Sequence, residues 1–125
     1  MATMEDFAFR KLVVYQHSRE FVRFVYAMLK KYPKEENFAL CDQLRRCVIS
    51  ISSNIAEGVS RQSPKDQLHF LEIAYGSLCE ALCQLELSLD LSYINQEDMN
   101  EAERQVSDLA RLMSGLRKSM QRRLE

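Results

Sequence analysis

From Leu68 onward, apolar residues recur three and four positions apart without a break: Leu68, Leu71, Tyr75, Leu78, Leu82, Leu85 and Leu89. A second run follows the same rule, with Met99, Ala102, Val106, Leu109, Met113, Leu116 and Met120. This spacing puts each set on one stripe of an α-helix, as in a seam that packs against another seam. Nine residues lie between the two runs, and a polar stretch, Asn95 to Asp98, opens the second. The pattern predicts two long antiparallel helices crossing at a shallow angle.

The first half of the chain reads the same way. Leu12, Tyr15, Val22, Val25 and Leu29 share a helical face, and Val13, Val14, Phe21, Phe24, Tyr26 and Met28 widen it. So broad an apolar arc predicts contact with more than one neighbour. Leu40, Leu44, Cys47, Val48, Ile51 and Ile55 form a further stripe. The chain holds only three glycines and two prolines. Pro33 ends the first segment, Gly58 reads as a left-handed cap of the second, and Ser63-Pro64 opens the third. Asn95, with Asp98 three residues on, reads as the start of the fourth. The expected fold is an all-α, antiparallel up-down-up-down four-helix bundle, one domain over 1–125, with helices near 12–31, 36–57, 64–91 and 96–122.

At 125 residues the chain can bury a core without metal or disulfide staples. Its 17 Lys and Arg against 18 Asp and Glu give no global drive toward nucleic acid, so any such role needs a local patch. Met1 to Arg10 contains acids and lacks an apolar signal core, and no apolar run approaches the ~20 residues of a membrane span. The expected compartment is the cytosol, where Cys41, Cys47, Cys79 and Cys83 would be reduced thiols packed in the core.

The segment QLRRCVISISSNIAEG, Gln43 to Gly58, and RQSPKDQLHFLEIAYGSLCE, Arg61 to Glu80, carry a resemblance. Together with LVVYQHS, YPKEE and LSYI elsewhere, they resemble the bacterial four-helix-bundle family encoded in intervening sequences of large-subunit ribosomal RNA genes. Its members are often labelled as a ribosomal protein. The resemblance implies an up-down-up-down bundle, a homopentameric ring and no enzymatic activity. The family is also similar to the accessory variability protein of diversity-generating retroelements, a basic pentamer that binds nucleic acid and a reverse transcriptase. The present chain is slightly acidic where that relative is basic.

Three sets of residues stand out chemically. Arg46, Asn54, Glu57, Gly58 and Glu80 read as a polar lock that fixes helix register, with Glu80 as the expected partner of Arg46. His17 and His69 each precede a glutamate by three residues, the reverse of the di-iron order, so surface pairing is expected and no metal site or cofactor. Arg104, Arg111, Arg117, Lys118, Arg122 and Arg123 form the candidate nucleic-acid interface. Acids at Glu97, Asp98, Glu101 and Glu103 begin the same helix, and dipole complementarity accounts for that order in one copy. Repetition around a ring would concentrate the basic field. The expected function is a non-enzymatic homo-oligomeric scaffold for RNA or a ribonucleoprotein, pentameric by the family's example. A protein-binding adaptor is the alternative, and a metal-dependent enzyme in the bundle core comes third.

Overall fold

The computed structural model describes residues 3–124. Four α-helices run in sequence: α1 Val13–Leu29, α2 Leu40–Ser60, α3 Pro64–Asp90 and α4 Gln96–Leu124. Short 3-10 turns at Met4–Asp6, Ala8–Lys11 and Lys34–Glu36 complete the chain, and no β-strand occurs among the described residues. Each helix packs on two others: α1 on α2, α2 on α3, α3 on α4, and α4 back on α1.

Contacts between the helices fix their directions. Along α2 and α3 the partners are Gln43 with Gln84, Cys47 with Glu80, and Ser50 with Ser77, so one number rises as the other falls. Gln67 meets Arg123, and Tyr75 meets Arg117, which makes α3 and α4 antiparallel. Lys31 pairs with Asp98 at one end of α1 and α4, while Leu12 faces the same hollow as Leu116 and Met120 at the other. Ser18 meets Ser52, and Leu29 shares a hollow with Cys41, so α1 and α2 are antiparallel too. The bundle is therefore up-down-up-down.

The fourth helix follows its sequence pattern closely. Met99, Ala102, Val106, Leu109, Met113 and Met120 are buried, with Leu116 half-buried beside them. Its start is a reciprocal cap: the Asp98 amide donates to Asn95 Oδ1 at 2.8 Å, and the Asn95 amide to Asp98 Oδ2 at 3.2 Å. In α1 and α3 the buried stripe is rotated from the expected one. The centre of α1 is Val14, Ser18, Phe21, Val25 and Met28. That of α3 is Leu71, Ala74, Leu78, Ala81 and Leu85, with Leu68, Leu82 and Leu89 on a half-buried shoulder and Tyr75 exposed. A helix touching two neighbours aims the middle of its apolar arc at the bundle axis, so large residues on the flanks end up only partly covered.

The ends of α2 differ from expectation. The helix starts at Leu40 rather than near residue 36, and Glu36 instead accepts the Leu40 amide at 3.3 Å from the preceding turn. It continues through Gly58 to Ser60, and no glycine in the described chain has positive φ. Gly58 is a contact residue rather than a cap. A Cβ there would lie 3.1 Å from Phe70 Cβ and 3.3 Å from the Gln67 carbonyl oxygen, so its missing side chain lets α2 and α3 close together. The left-handed cap is Ser92, with φ 64°, at the end of α3. The Tyr93 amide reaches the Ser88 carbonyl at 2.9 Å and the Ser92 amide reaches Leu89 at 3.0 Å, the two bonds of a Schellman ending. Ser63 occupies the cap position of α3 before Pro64, but its hydroxyl makes no capping bond.

Candidate nucleic-acid interface

The six candidate cations of α4 separate into two groups. Arg104 lies in a fork between Glu101 at 2.8 Å and Asp108 at 3.2 Å, and Arg111 pairs with Asp108 at 3.3 Å. The Arg104 hydrogen bond holds the Glu101 carboxyl below the usual carboxylate range, and the same contact raises Arg104. The seven-residue stripe Arg104, Arg111, Lys118 is therefore cancelled at its first two positions by acids one turn away.

The last turns of α4 behave differently. The Arg117 guanidinium sits 5.3 Å from the Tyr75 ring centre, and Arg123 donates to Gln67 Oε1. Both are positioned by neutral groups, so their charge is not offset. Lys118 and Arg122 make no ion pair among the described residues; Arg122 is exposed, and Lys118 lies on the outer part of the same turns.

Topology adds cations that sequence could not place. Gln67 ties the α2–α3 turn to α4 by donating to the Arg61 carbonyl at 2.8 Å while accepting from Arg123. Arg61 and Lys65 thus stand at the C-terminal end of α4. The turn Ala8–Lys11 brings Arg10 and Lys11 to the same end, since Ala8, Phe9 and Leu12 share a hollow with Leu116, Met120 and Arg123. Arg45 lies at the opposite end, donating to the Asn37 carbonyl at 2.7 Å.

The polar lock exists in altered form. Asn54 donates to the Ser50 carbonyl at 2.9 Å and to its hydroxyl at 3.0 Å, and Ser50 meets Ser77 of α3 at 2.8 Å. Arg46 does not reach Glu80. It pairs with Asp42, one helical turn back, at 3.3 Å on the surface. Glu80 accepts from the Cys47 thiol at 3.4 Å instead. Glu57 pairs with Arg61 at 3.6 Å in solvent. A second clamp joins α1 to α2: Ser52 donates to the fully buried Ser18 at 2.8 Å, which donates to the Tyr15 carbonyl at 2.6 Å. Its signal in the sequence is slight, a serine at position 18 one turn from both Val14 and Phe21 on the buried stripe.

The cysteines divide as well. Cys41 and Cys47 are buried, but Cys79 and Cys83 are exposed on the outer side of α3, against the expectation of core packing for all four. Burial, followed by the neighbouring Glu80, pushes the Cys47 thiol up to about 11. His69 lies edge-on to Phe70 at 5.6 Å, and no cluster of three His, Cys, Asp or Glu able to hold a metal occurs among the described residues. No helix among them is long and apolar enough to cross a membrane.

Fold and surface together define a class: an all-helical bundle with an apolar interior, a few serine clamps between helices, and charge sorted by location outside. The chain belongs to the family of 23S rRNA-intervening sequence proteins, whose pattern matches residues 10–115. It is similar to the crystal structure of a protein of unknown function from the S23 ribosomal protein family of Bacteroides thetaiotaomicron. That similarity has 29% identity and a TM-score of 0.75, over 85% of this chain and 99% of the other. No curated protein matches the chain.

Proposed function

We propose that this protein is a non-enzymatic, self-assembling scaffold that binds RNA or a ribonucleoprotein through the basic end of its bundle. The observation that carries this reading is the convergence of Arg10, Lys11 and Lys65 with the α4 terminus. The opposite end collects acids from α4, with Glu97 and Asp98 in its first turn. A single chain thus presents a charge gradient along its axis despite a net charge of -1. Phosphate contacts with such an end would be strongly salt-dependent.

Self-assembly is supported by apolar side chains left outside the core. On α3 and at its C-terminal cap, Ile73, Leu87 and Leu91 are 40%, 48% and 54% exposed. Apolar surface of this kind favours association with another chain. Five copies, as the family resemblance implies, would place five basic ends on one rim and multiply a weak contact.

The test is native mass measurement with ultraviolet absorbance, followed by binding of a structured RNA hairpin across a salt series. The expected result is an oligomer whose affinity falls steeply with salt. The double variant Lys118→Glu, Arg122→Glu should weaken binding and flatten that dependence. A wild-type protein with no affinity for RNA would overturn the RNA reading. Retention of a protein partner in its place would select the adaptor function, for which the α3 stripe is the natural surface.

A further inference from the structure

A second basic surface runs along the seam between α1 and α2, on a different side from the outward stripe of α3. Arg19 and Arg23 rise from the flank of α1 beside Ile49, Ser52 and Ser53 of α2. Toward one end the hollow continues past Arg10, Lys11 and Phe7, with Arg19 shared between the two stretches. Beyond Arg23 on the same flank of α1 lies a separate hollow lined by Tyr26, Lys30 and Arg45, which shares Leu29 and Asn37 with a further one at Lys34 and Phe38. The 17 residues of α1 alone give the track roughly 25 Å of helix at 1.5 Å per residue.

Two properties mark this groove. First, its cations form no ion pair among the described residues, whereas Lys31, Arg46, Arg61, Arg104 and Arg111 are all tied to carboxylates. Arg45 is anchored by Asn37, and Arg19 lies 5.9 Å from the Tyr15 ring centre, so neutral groups hold both with their charge intact. Among the described residues no acid lines the groove. Second, exposed apolar faces alternate with the charges. Phe7 is 42% exposed, Ile49 47%, Tyr26 38% and Phe38 90%. Each stands beside at least one groove cation.

We infer that the α1/α2 groove is a track for single-stranded RNA. Cations spaced along a channel follow a phosphate backbone, and exposed rings between them give unpaired bases a stacking platform. A duplex keeps its bases inside and cannot use those rings. An acidic helix from another chain would match the charge, but an aromatic ring as fully in solvent as Phe38 is suited to a stacked base. The inference rests on the RNA reading above and extends it, since the groove shares Arg10 and Lys11 with the basic end and leads away from it along α1 and α2. The basic end would take structured RNA, and the groove an unpaired segment.

The experiment is fluorescence anisotropy with a labelled unstructured 12-nucleotide uridine-rich RNA and a labelled 12-base-pair RNA duplex, from low to moderate salt. Wild type is compared with Arg19→Gln/Arg23→Gln, with Phe38→Ala, and with Lys118→Gln/Arg122→Gln. Sedimentation velocity on each variant reports assembly. We expect wild type to prefer the single strand. The double groove variant should lower the salt slope for that strand by about 1.4, near 0.7 for each phosphate no longer neutralised. Phe38→Ala should weaken it about fivefold or more, the lower end for one stacking platform. The α4 variant should retain it. If the α4 variant alone loses the single strand, the groove proposal is overturned while the basic-end reading stands. If wild type binds neither RNA, both are overturned. If groove variants change the sedimentation coefficient and leave RNA binding intact, the groove is an interface between chains and the proposal is overturned. Unlabelled DNA of matching sequence should compete within a few-fold, since stacking and phosphate contacts do not require the 2′-hydroxyl.

Discussion

Replacing Gly58 by alanine separates two effects that usually arrive together. In a helix interior, glycine to alanine gains about 0.5–1 kcal/mol from reduced backbone freedom in the unfolded chain. At Gly58 the new methyl would meet Phe70 Cβ at 3.1 Å and the Gln67 carbonyl at 3.3 Å. Both belong to, or are fixed directly on, the backbone of α3, so relief requires moving a helix. Overpacking of this kind costs about 1–3 kcal/mol, and the net expectation is a loss of about 1 kcal/mol. Gly76 and Gly115 are also helical, but a Cβ on either meets nothing within 4 Å. Gly76→Ala and Gly115→Ala should therefore each gain about 0.5–1 kcal/mol. Subtracting these controls cancels the propensity and leaves the steric cost, about 2 kcal/mol. With a urea dependence of about 1–3 kcal/mol per molar, that difference displaces the unfolding midpoint by about 1 M. The assay is urea denaturation followed by far-ultraviolet circular dichroism, at one fixed protein concentration because assembly couples to stability. A Gly58→Ala midpoint raised as far as that of Gly76→Ala would refute the close-approach reasoning.

Four further outcomes are expected. Ser92→Gly should stabilise the protein by about 0.5 kcal/mol, because the left-handed region costs a non-glycine residue about 1–2 kcal/mol and the greater freedom of glycine in the unfolded chain offsets part of the relief; an unchanged melting curve would count against strain there. A double-mutant cycle on Ser50→Ala and Ser77→Ala should show a coupling of about 1 kcal/mol, while Arg46→Ala should stay within about 0.5 kcal/mol of wild type, since its ion pair with Asp42 is exposed. Thiol titration of the folded protein should find Cys79 and Cys83 fast and Cys41 and Cys47 slow. The Cys47 thiol, raised from 9.0 to about 11, binds its proton more tightly when folded, so its contribution is complete below pH 9.0 and lost as pH climbs through about 11. Cys47→Ala should flatten the stability decline across that window in pH-dependent urea unfolding.

Much of the architecture is carried by local pattern. The Met99 to Met120 stripe, the Asn95–Asp98 cap and the proline at the start of α3 each act within a few residues, where periodicity and capping chemistry are nearly complete descriptions. Four amphipathic segments joined by short connections leave few arrangements other than an antiparallel bundle. What sequence could not contain is distance between segments. Whether an arginine is an available charge depends on which carboxylate comes within 4 Å, and that removed Arg104 and Arg111 from the candidate set, while the fold brought Arg10, Lys11 and Lys65 to its end. The meaning of Gly58 depended on how closely a second helix approached. The centre of each buried stripe depended on where two neighbours stood, which is why Ser18 lies inside and Tyr75 outside. Periodicity specifies that a helix has an inner face; only packing against its actual neighbours decides which residues occupy that face and which charges remain uncancelled.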